Sequence, residues 1–382
     1  MDITAESELL MLPGPVQVAP RVLRAMSKPM INHRGFEFKK LLDFVLEKLQ
    51  LVFRTRSDLM ILSGSGTCAM EAAVGNLGRD KTFAAVENGK FGERLKALDS
   101  LYGQSIPIMT DWGKSVDAAG VATALDNGAE VVTLVHNETS TGMTNNVGEI
   151  GKLCKRRDAL LIMDGISSIG GMEADIDRWG VDIAFTGSQK CLGLPPGLSI
   201  ISVSERAWDI IRDAQKRPYY ADLVAHKKST DNGQTPYTPT VPLFFALEEA
   251  LKILEEEGLD SRIKRNSIYA NSIRAASLAM GLELFPEIDD LSTYSDTVTA
   301  IKVPPSIKFT TLKEEMKRRG IIIAGGQEHL KGRIFRIGNM GSVSRGDILQ
   351  TVGKLELVLS ENGAVDEIGA GTLTADSMLQ GV

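Results

Sequence analysis

The sequence predicts an α/β fold: a large domain on a mainly parallel sheet, followed by a smaller α+β C-terminal domain. Three observations carry this. Between about 21 and 205, short apolar runs ("DLMILSG", "VVTLVHN", "ALLIMDG", "DIAFTGS") alternate with helical or turn patterns such as "CAMEAAVGNL" and "VGEIGKLCKRRD". Apolar strands alternating with helices are the pattern of parallel strands buried on both faces. The pattern then changes after a long helical stretch, "PTVPLFFALEEALKILEEEGLDSRIKRNSIYANSIRAASLAMG", which breaks near Gly258. Finally, 382 residues exceed what one hydrophobic core usually holds, so two domains are expected.

Taken in order, residues 1–20 form an N-terminal arm. Its "LPGPVQVAP" has three prolines and supports neither regular helix nor a central strand. Residues 21–265 form the large domain and 266–360 the small one, with "YSDTVTAIKVP", a helix over 310–319, "GIIIAGG" and "IFRIGNMG". The tail, 361–382, is rich in small residues and is expected to be loosely held. No internal repeat is visible.

Composition excludes several classes. A net charge of −6 argues against a nucleic-acid partner and gives no reason to expect a membrane surface. No apolar run reaches the ~20 residues of a membrane span, and "MDITAESELL" does not read as a signal peptide. Cys68, Cys154 and Cys191 form no CxxC pair, and the four histidines are scattered. A reduced, cytoplasmic protein without a structural metal site is the expectation.

Four places could carry chemistry. In "ILSGSGTCAMEAAVGNL" a strand runs through Ser63-Gly64-Ser65-Gly66-Thr67 into a helix. Glycines let backbone amides approach an anion, and the helix start offers free N–H groups. The stretch is neither a Walker loop nor a full dinucleotide fingerprint, and a turn capped by Thr67 is the plainer alternative. In "LLIMDGISSIGG", Asp164 ends an apolar strand, at the mouth of the sheet where a carboxylate needs a partner. A helix cap or turn aspartate is the alternative. In "FTGSQKCLGLPPGLSII", Lys190 stands in a stretch with no other charge. A poorly solvated lysine has a lowered pKa and suits imine chemistry; a surface-loop lysine is the alternative. In "HLKGRIFRIGNMG", Arg336 lies among apolar residues, as a carboxylate clamp or one half of an internal salt bridge. An anion cradle, a strand-end acid, a strand-end amine and a remote guanidinium together suit a phosphorylated aldehyde cofactor acting on an amino acid.

The sequence resembles the class V aminotransferases, in the alanine–glyoxylate / serine–pyruvate branch with its archaeal aspartate-aminotransferase-like relatives. The matching text runs almost end to end: "LPGPVQVAPRVL", "SGSGTCAMEAA", "NGKFGER", "HNETSTG", "MDGISSIGG", "GSQKCLGLPPGLSIISVS", "YTPTVPL" and "FRIGNMG". The resemblance implies pyridoxal 5'-phosphate (PLP) in a fold-type I homodimer with shared active sites. It implies that Lys190 bonds the cofactor aldehyde and Asp164 pairs with the ring nitrogen. Ser65, Gly66, Thr67 and Gln189 would hold the phosphate. Phe91 would stack on the ring, where many relatives have a larger aromatic, and Thr139 would bond near its phenolic oxygen. Tyr237 and Thr240 would reach the other subunit's cofactor phosphate, and Arg336 would clamp the substrate α-carboxylate.

The implied reaction moves an amino group from alanine, serine or aspartate to glyoxylate, pyruvate or 2-oxoglutarate. His33 and Arg34, in "MINHRGFEF", lie near the amino-terminal entrance. Arg34 is a candidate for a distal carboxylate, with a salt bridge to the partner chain as the alternative. A cysteine desulfurase-like lyase shares the fold but needs a mobile cysteine, which Cys68, Cys154 and Cys191 do not supply. A non-catalytic PLP-binding protein and a phosphate-binding protein of similar architecture are the remaining readings.

Overall fold

The computed structural model describes residues 8–290 and 292–381. Its largest sheet has seven strands in the order Asp58–Ser63, Leu198–Val203, Ile183–Gly187, Leu160–Asp164, Val131–Val135, Thr82–Glu87 and Gln104–Met109. Leu198–Val203 runs antiparallel to both neighbours. The remaining pairings are parallel. The connection Ser188–Gly197 is too short for a helical crossover, so the chain must reverse there. Lys190 stands in that reversal.

Val131–Val135, Leu160–Asp164 and Ile183–Gly187 are buried at every position, as their unbroken apolar runs require. Side chains alternate between two cores, with the period of two of a strand. Leu161 and Met163 face a core shared with helices Phe36–Phe53, Val147–Arg156 and Val241–Glu257. Leu160 and Ile162 face a core shared with helices Gly66–Gly75 and Glu205–Asp213. Helix Phe36–Phe53 shows why these layers form. Phe38, Leu41, Leu42, Val45, Leu49, Val52 and Phe53 are buried along one face, and Arg54 ends the helix at φ 49.

A four-stranded sheet follows the order Leu9–Met11, Ile321–Gly325, Ile334–Gly338, Val298–Lys302. The first strand comes from the arm and lies at the sheet edge, parallel to Ile321–Gly325. Beyond it the arm crosses close to Ile334–Gly338. A Cβ at Gly338 would stand 2.2 Å from the Leu12 carbonyl oxygen, so only glycine permits this approach. Helices Val241–Glu257 and Leu259–Ala279 are separated at Gly258, φ 83, and the second runs uninterrupted across positions 265 and 266.

The tail is not loosely held. Ala370–Met378 is a helix, with Ala375 and Leu379 fully buried. Glu356, itself buried, accepts from the Gly371 amide at 2.7 Å and the Thr372 hydroxyl at 2.6 Å. A Cβ at Gly371 would meet Met280 at 2.7 Å. The small residues that suggested too little burial are what lets this helix approach Leu259–Ala279. Among the described residues, no helix is long and apolar enough to cross a membrane.

Asp99 is fully buried in helix Lys90–Tyr102, where one carboxyl oxygen accepts from Thr133 at 2.6 Å and the other has no partner. Burial pushes its pKa up from 3.8 to about 7. The folded chain therefore binds the extra proton, and the associated stability is present below the unfolded pKa and lost as pH rises through about 7. Asp99→Asn removes this dependence. Relative to wild type, the variant should gain on the order of 1–3 kcal/mol between pH 4 and pH 8, read from urea melts at each pH.

Candidate active site

Asp164 and Lys190 meet at the carboxyl ends of adjacent parallel strands, where Asp164 is in register with Phe185. Asp164 is 3% exposed, and one oxygen accepts from the Ile166 amide at 2.8 Å. No ion-pair partner lies within 4.0 Å among the described residues, and burial pushes its pKa up to about 7. Lys190 is lowered to about 8, chiefly by burial, with Asp164 opposing the shift and Arg336 and Arg94 adding to it. Its amine donates to the Pro13 carbonyl. The turn is fixed by Ser188, whose hydroxyl donates to Pro195 O at 2.8 Å and accepts from Leu198 N at 3.2 Å.

The Ser65–Gly66–Thr67 turn packs against this pair. A Cβ on Gly66 would meet Ile166 at 2.6 Å, and one on Gly187 would lie 3.0 Å from Gln189 Oε1 and 3.3 Å from the Gly66 amide. Ser65 is the N-cap of helix Gly66–Gly75, yet its hydroxyl makes no cap bond. The free first-turn amides and an unspent hydroxyl form an anion cradle. Gln189 Oε1 is buried there without a partner.

Arg336 reaches the cluster from the four-stranded sheet. It is 6% exposed and forms no salt bridge within 4.0 Å among the described residues, so the internal ion pair is not what holds it. Instead it donates to Thr139 O at 2.8 Å and to Gly325 O at 3.0 and 2.7 Å. Burial lowers its pKa to about 10. Thr139 therefore meets Arg336 through its carbonyl.

Three contributors escaped the sequence reading. Glu138, fully buried, accepts from Phe91 N at 3.0 Å, Gly92 N at 3.1 Å and Ser140 Oγ at 2.6 Å, so it pins the start of helix Lys90–Tyr102 and with it Phe91. The signal was a charge in the otherwise uncharged "HNETSTG". Arg94 lies over the Phe91 ring at 4.9 Å and donates to Thr67 Oγ1 at 3.4 Å. Gly14 lies on Lys190: its absent Cβ would fall 2.6 Å from Nζ.

Arg34, Tyr237 and Thr240 lie together beside Ser63, two residues before the cradle. The exposed Arg34 donates to Gln234 Oε1 at 2.7 Å and Thr235 O at 3.0 Å. Tyr237 donates to Tyr219 O at 2.9 Å and stacks on Tyr220 at 5.2 Å. Thr240 lies 3.3 Å from Ser63 Oγ. Tyr219, beside Tyr237, is 84% exposed, and Met30 and Phe36, near Arg34 in sequence, are 67% and 66% exposed.

The family model described as "Aminotransferase class-V" matches residues 14–343. The chain belongs to the class V aminotransferases. An uncharacterised aminotransferase of Methanocaldococcus jannaschii is 43% identical over 371 residues, covering 95% of each chain. The serine–glyoxylate aminotransferase of Methylorubrum extorquens is 33% identical, covering 97% of this chain and 96% of its own. The crystal structure of ureidoglycine–glyoxylate aminotransferase from Bacillus subtilis superposes with TM-score 0.91 at 29% identity, covering 99% of each chain.

A class V aminotransferase of fold type I works with PLP, and the residues gathered here fit that cofactor. The cradle has unspent donors, and Asp164 is buried without a contacting cation. The cysteines do not supply a sulfur nucleophile. Cys154 and Cys191 are 1% and 3% exposed, with thiols pushed up to about 12 by burial, and burial raises the Cys68 thiol too.

Gly14→Ala tests how tightly the arm closes on Lys190. Its Cβ would occupy the space of the amine, and its φ of +119 disfavours any side chain. Displacing the amine by an ångström should lower kcat on the order of 100-fold. Borohydride-stable cofactor labelling of Lys190 should fall with it, and the melting temperature should drop by only a few degrees, the cost of one strained residue.

Proposed function

We propose that this aminotransferase moves an amino group from a small amino acid to glyoxylate, by a ping-pong reaction centred on Lys190. The observation that carries the reading is the pairing of Lys190 and Asp164. They are a half-buried amine and a buried carboxyl at one sheet edge, too far apart for an ion pair, beside an anion cradle. Glyoxylate is supported by the names of the Methylorubrum and Bacillus relatives. Alanine, serine and aspartate are the donors to consider, and pyruvate and 2-oxoglutarate the other acceptors.

When bound, PLP supplies an aldehyde that links covalently to amines and a ring that accepts the electron pair left at Cα. The chain's own residues do the rest. Lys190, with its amine lowered to about 8, is free to take the Cα proton as a general base and return it as an acid. Asp164 keeps a proton on the ring nitrogen, and that cation in turn stabilises the buried carboxylate. Arg336 binds the substrate α-carboxylate by paired hydrogen bonds and fixes which Cα bond stands across the ring face. Ser65, Gly66, Thr67 and Gln189 hold the phosphate. Phe91, held by Glu138, would stack on the ring, and Thr139 would bond near its phenolic oxygen. Release of one 2-oxo acid before the next binds gives ping-pong kinetics.

The site is completed in a homodimer. Tyr237 and Thr240, exposed apolar neighbours around them and the tethered Arg34 lie on one face, which suits a partner chain. Arg34 anchors the segment before Tyr237, so any contact with a substrate carboxylate is made across that interface. The protein works in the cytoplasm, which agrees with three unpaired cysteines.

Lys190→Ala should lose turnover by about 10²–10⁴-fold or more and lose the borohydride-stable label. Asp164→Asn should keep the label but lower kcat by roughly 100-fold or more, with KM less affected. Label on another lysine, or full activity without Lys190, overturns the assignment. A matrix of alanine, serine and aspartate against glyoxylate, pyruvate and 2-oxoglutarate tests the substrate class. The highest kcat/KM among acceptors should belong to glyoxylate, and a preference for another acceptor removes that part of the reading.

A further inference from the structure

Directly behind the Lys190 turn lies a cavity of about 240 Å³ that neither Lys190 nor Asp164 lines. Its walls come from four separate parts of the chain. Cys191, Leu192 and Gly193 follow the lysine, and Ala19 and Val22 belong to the arm and its first helix. Glu257, Arg262 and Arg265 flank the break at Gly258, and Ser342 follows strand Ile334–Gly338.

The charges in this cavity do not balance. Arg262 and Arg265, three residues apart, share one helix face. Both turn their Nε to the same carboxylate, Glu257, at 2.7 and 2.6 Å. Among the described residues, Glu257 is the only acid within 4.0 Å of either. Arg262 is only 8% exposed, and neither of its Nη groups has a protein acceptor among the described residues. Arg265 lies over the Tyr269 ring at 5.4 Å, and its Nη1 is buried without an acceptor in hydrogen-bonding geometry. Two guanidinium groups and one carboxylate leave a surplus positive charge in a partly buried wall, with Arg265 Nη1 buried and unpartnered, and an anion would compensate it.

We propose that this cavity binds a small oxyanion, a carboxylate or a phosphate, through Arg262 and Arg265, at a site separate from the Lys190 centre. Unspent guanidinium donors match two oxygens of one anion, and Ser342 lines the same cavity with a hydroxyl that can supply a third contact. The occupant lies against the residues that follow Lys190, so it also supports the turn that carries the lysine.

Calorimetric titration of the holoenzyme with inorganic phosphate and, separately, with succinate tests this without reference to turnover. At least one anion should bind saturably, and Arg262→Gln should weaken it by roughly 10-fold or more. Ser342→Asp, which places a carboxylate at the same wall and leaves the Glu257 pairs intact, should weaken it similarly while the cofactor absorbance is unchanged. Binding of phosphate alone assigns a phosphate group, of succinate alone a carboxylate, and of both a shared oxyanion site. Succinate is also titrated against Arg336→Gln, where binding that persists lies outside the substrate centre. The proposal is overturned if neither anion binds in the millimolar range. It is equally overturned if binding is lost with Arg336→Gln but unchanged in Arg262→Gln and Ser342→Asp. Either result leaves the aminotransferase reading untouched.

Discussion

Keeping a half-buried amine and a buried carboxyl at one end of a sheet, close but not paired, is the constraint on which the site depends. Asp164 and Lys190 each shift toward the neutral form because water is excluded, and neither is neutralised by contact with the other. A simple ion pair would relieve that cost and remove the chemistry. The chain prevents it by geometry. Asp164 stays on its strand, tied to the Ile166 amide, while Lys190 sits in a turn whose shape Ser188 fixes and whose far side the arm covers. The antiparallel strand Leu198–Val203 is part of the same solution, since only a reversal keeps the lysine at the strand ends.

Arg336 ties this edge to the four-stranded sheet. Its guanidinium is held by one carbonyl from each side, Thr139 and Gly325, and not by a carboxylate. Carbonyl oxygens orient the group without neutralising it, so its charge stays available to an anion. Glu138 plays the matching role on the opposite wall. Its oxygens are spent on amides and a hydroxyl at the start of helix Lys90–Tyr102, so a fully buried acid serves as an anchor for Phe91. The absent Cβ of Gly89, which would stand 2.2 Å from Glu138, shows how closely that anchor is seated.

The arm is a structural member of the small sheet and a cover for the lysine at once. Leu9–Met11 adds an edge strand, and the prolines that follow prevent it from continuing. The chain must then pass over Gly338 and across Lys190 at Gly14, two points where only glycine leaves room. Binding cost and folding cost are therefore linked: the same few residues close the core and the site.

The alternation of apolar runs and helical patterns determined the mainly parallel sheet, and the solitary Lys190, the strand-end Asp164 and the glycine-rich turn were legible as distinct local features that the fold brings to one sheet edge. These are local signals, because a buried strand or an unsupported charge leaves its mark in the residues beside it. Tertiary structure alone decided the rest. Arg94 and Glu138 stand in the same short segments as Phe91 and Thr139, but which partners their charges meet, Thr67 and the amides of Phe91 and Gly92, was set only by the fold, and Gly14 lies far from Lys190 in sequence. The tail read as loose because small residues signal little burial on their own, yet Gly371 and Ala375 are small because another helix passes there. Arg34 was placed near an entrance, and the fold bound it to the segment before Tyr237. Long-range contacts depend on which surfaces meet, and a sequence records the size and charge of each surface without recording its partner.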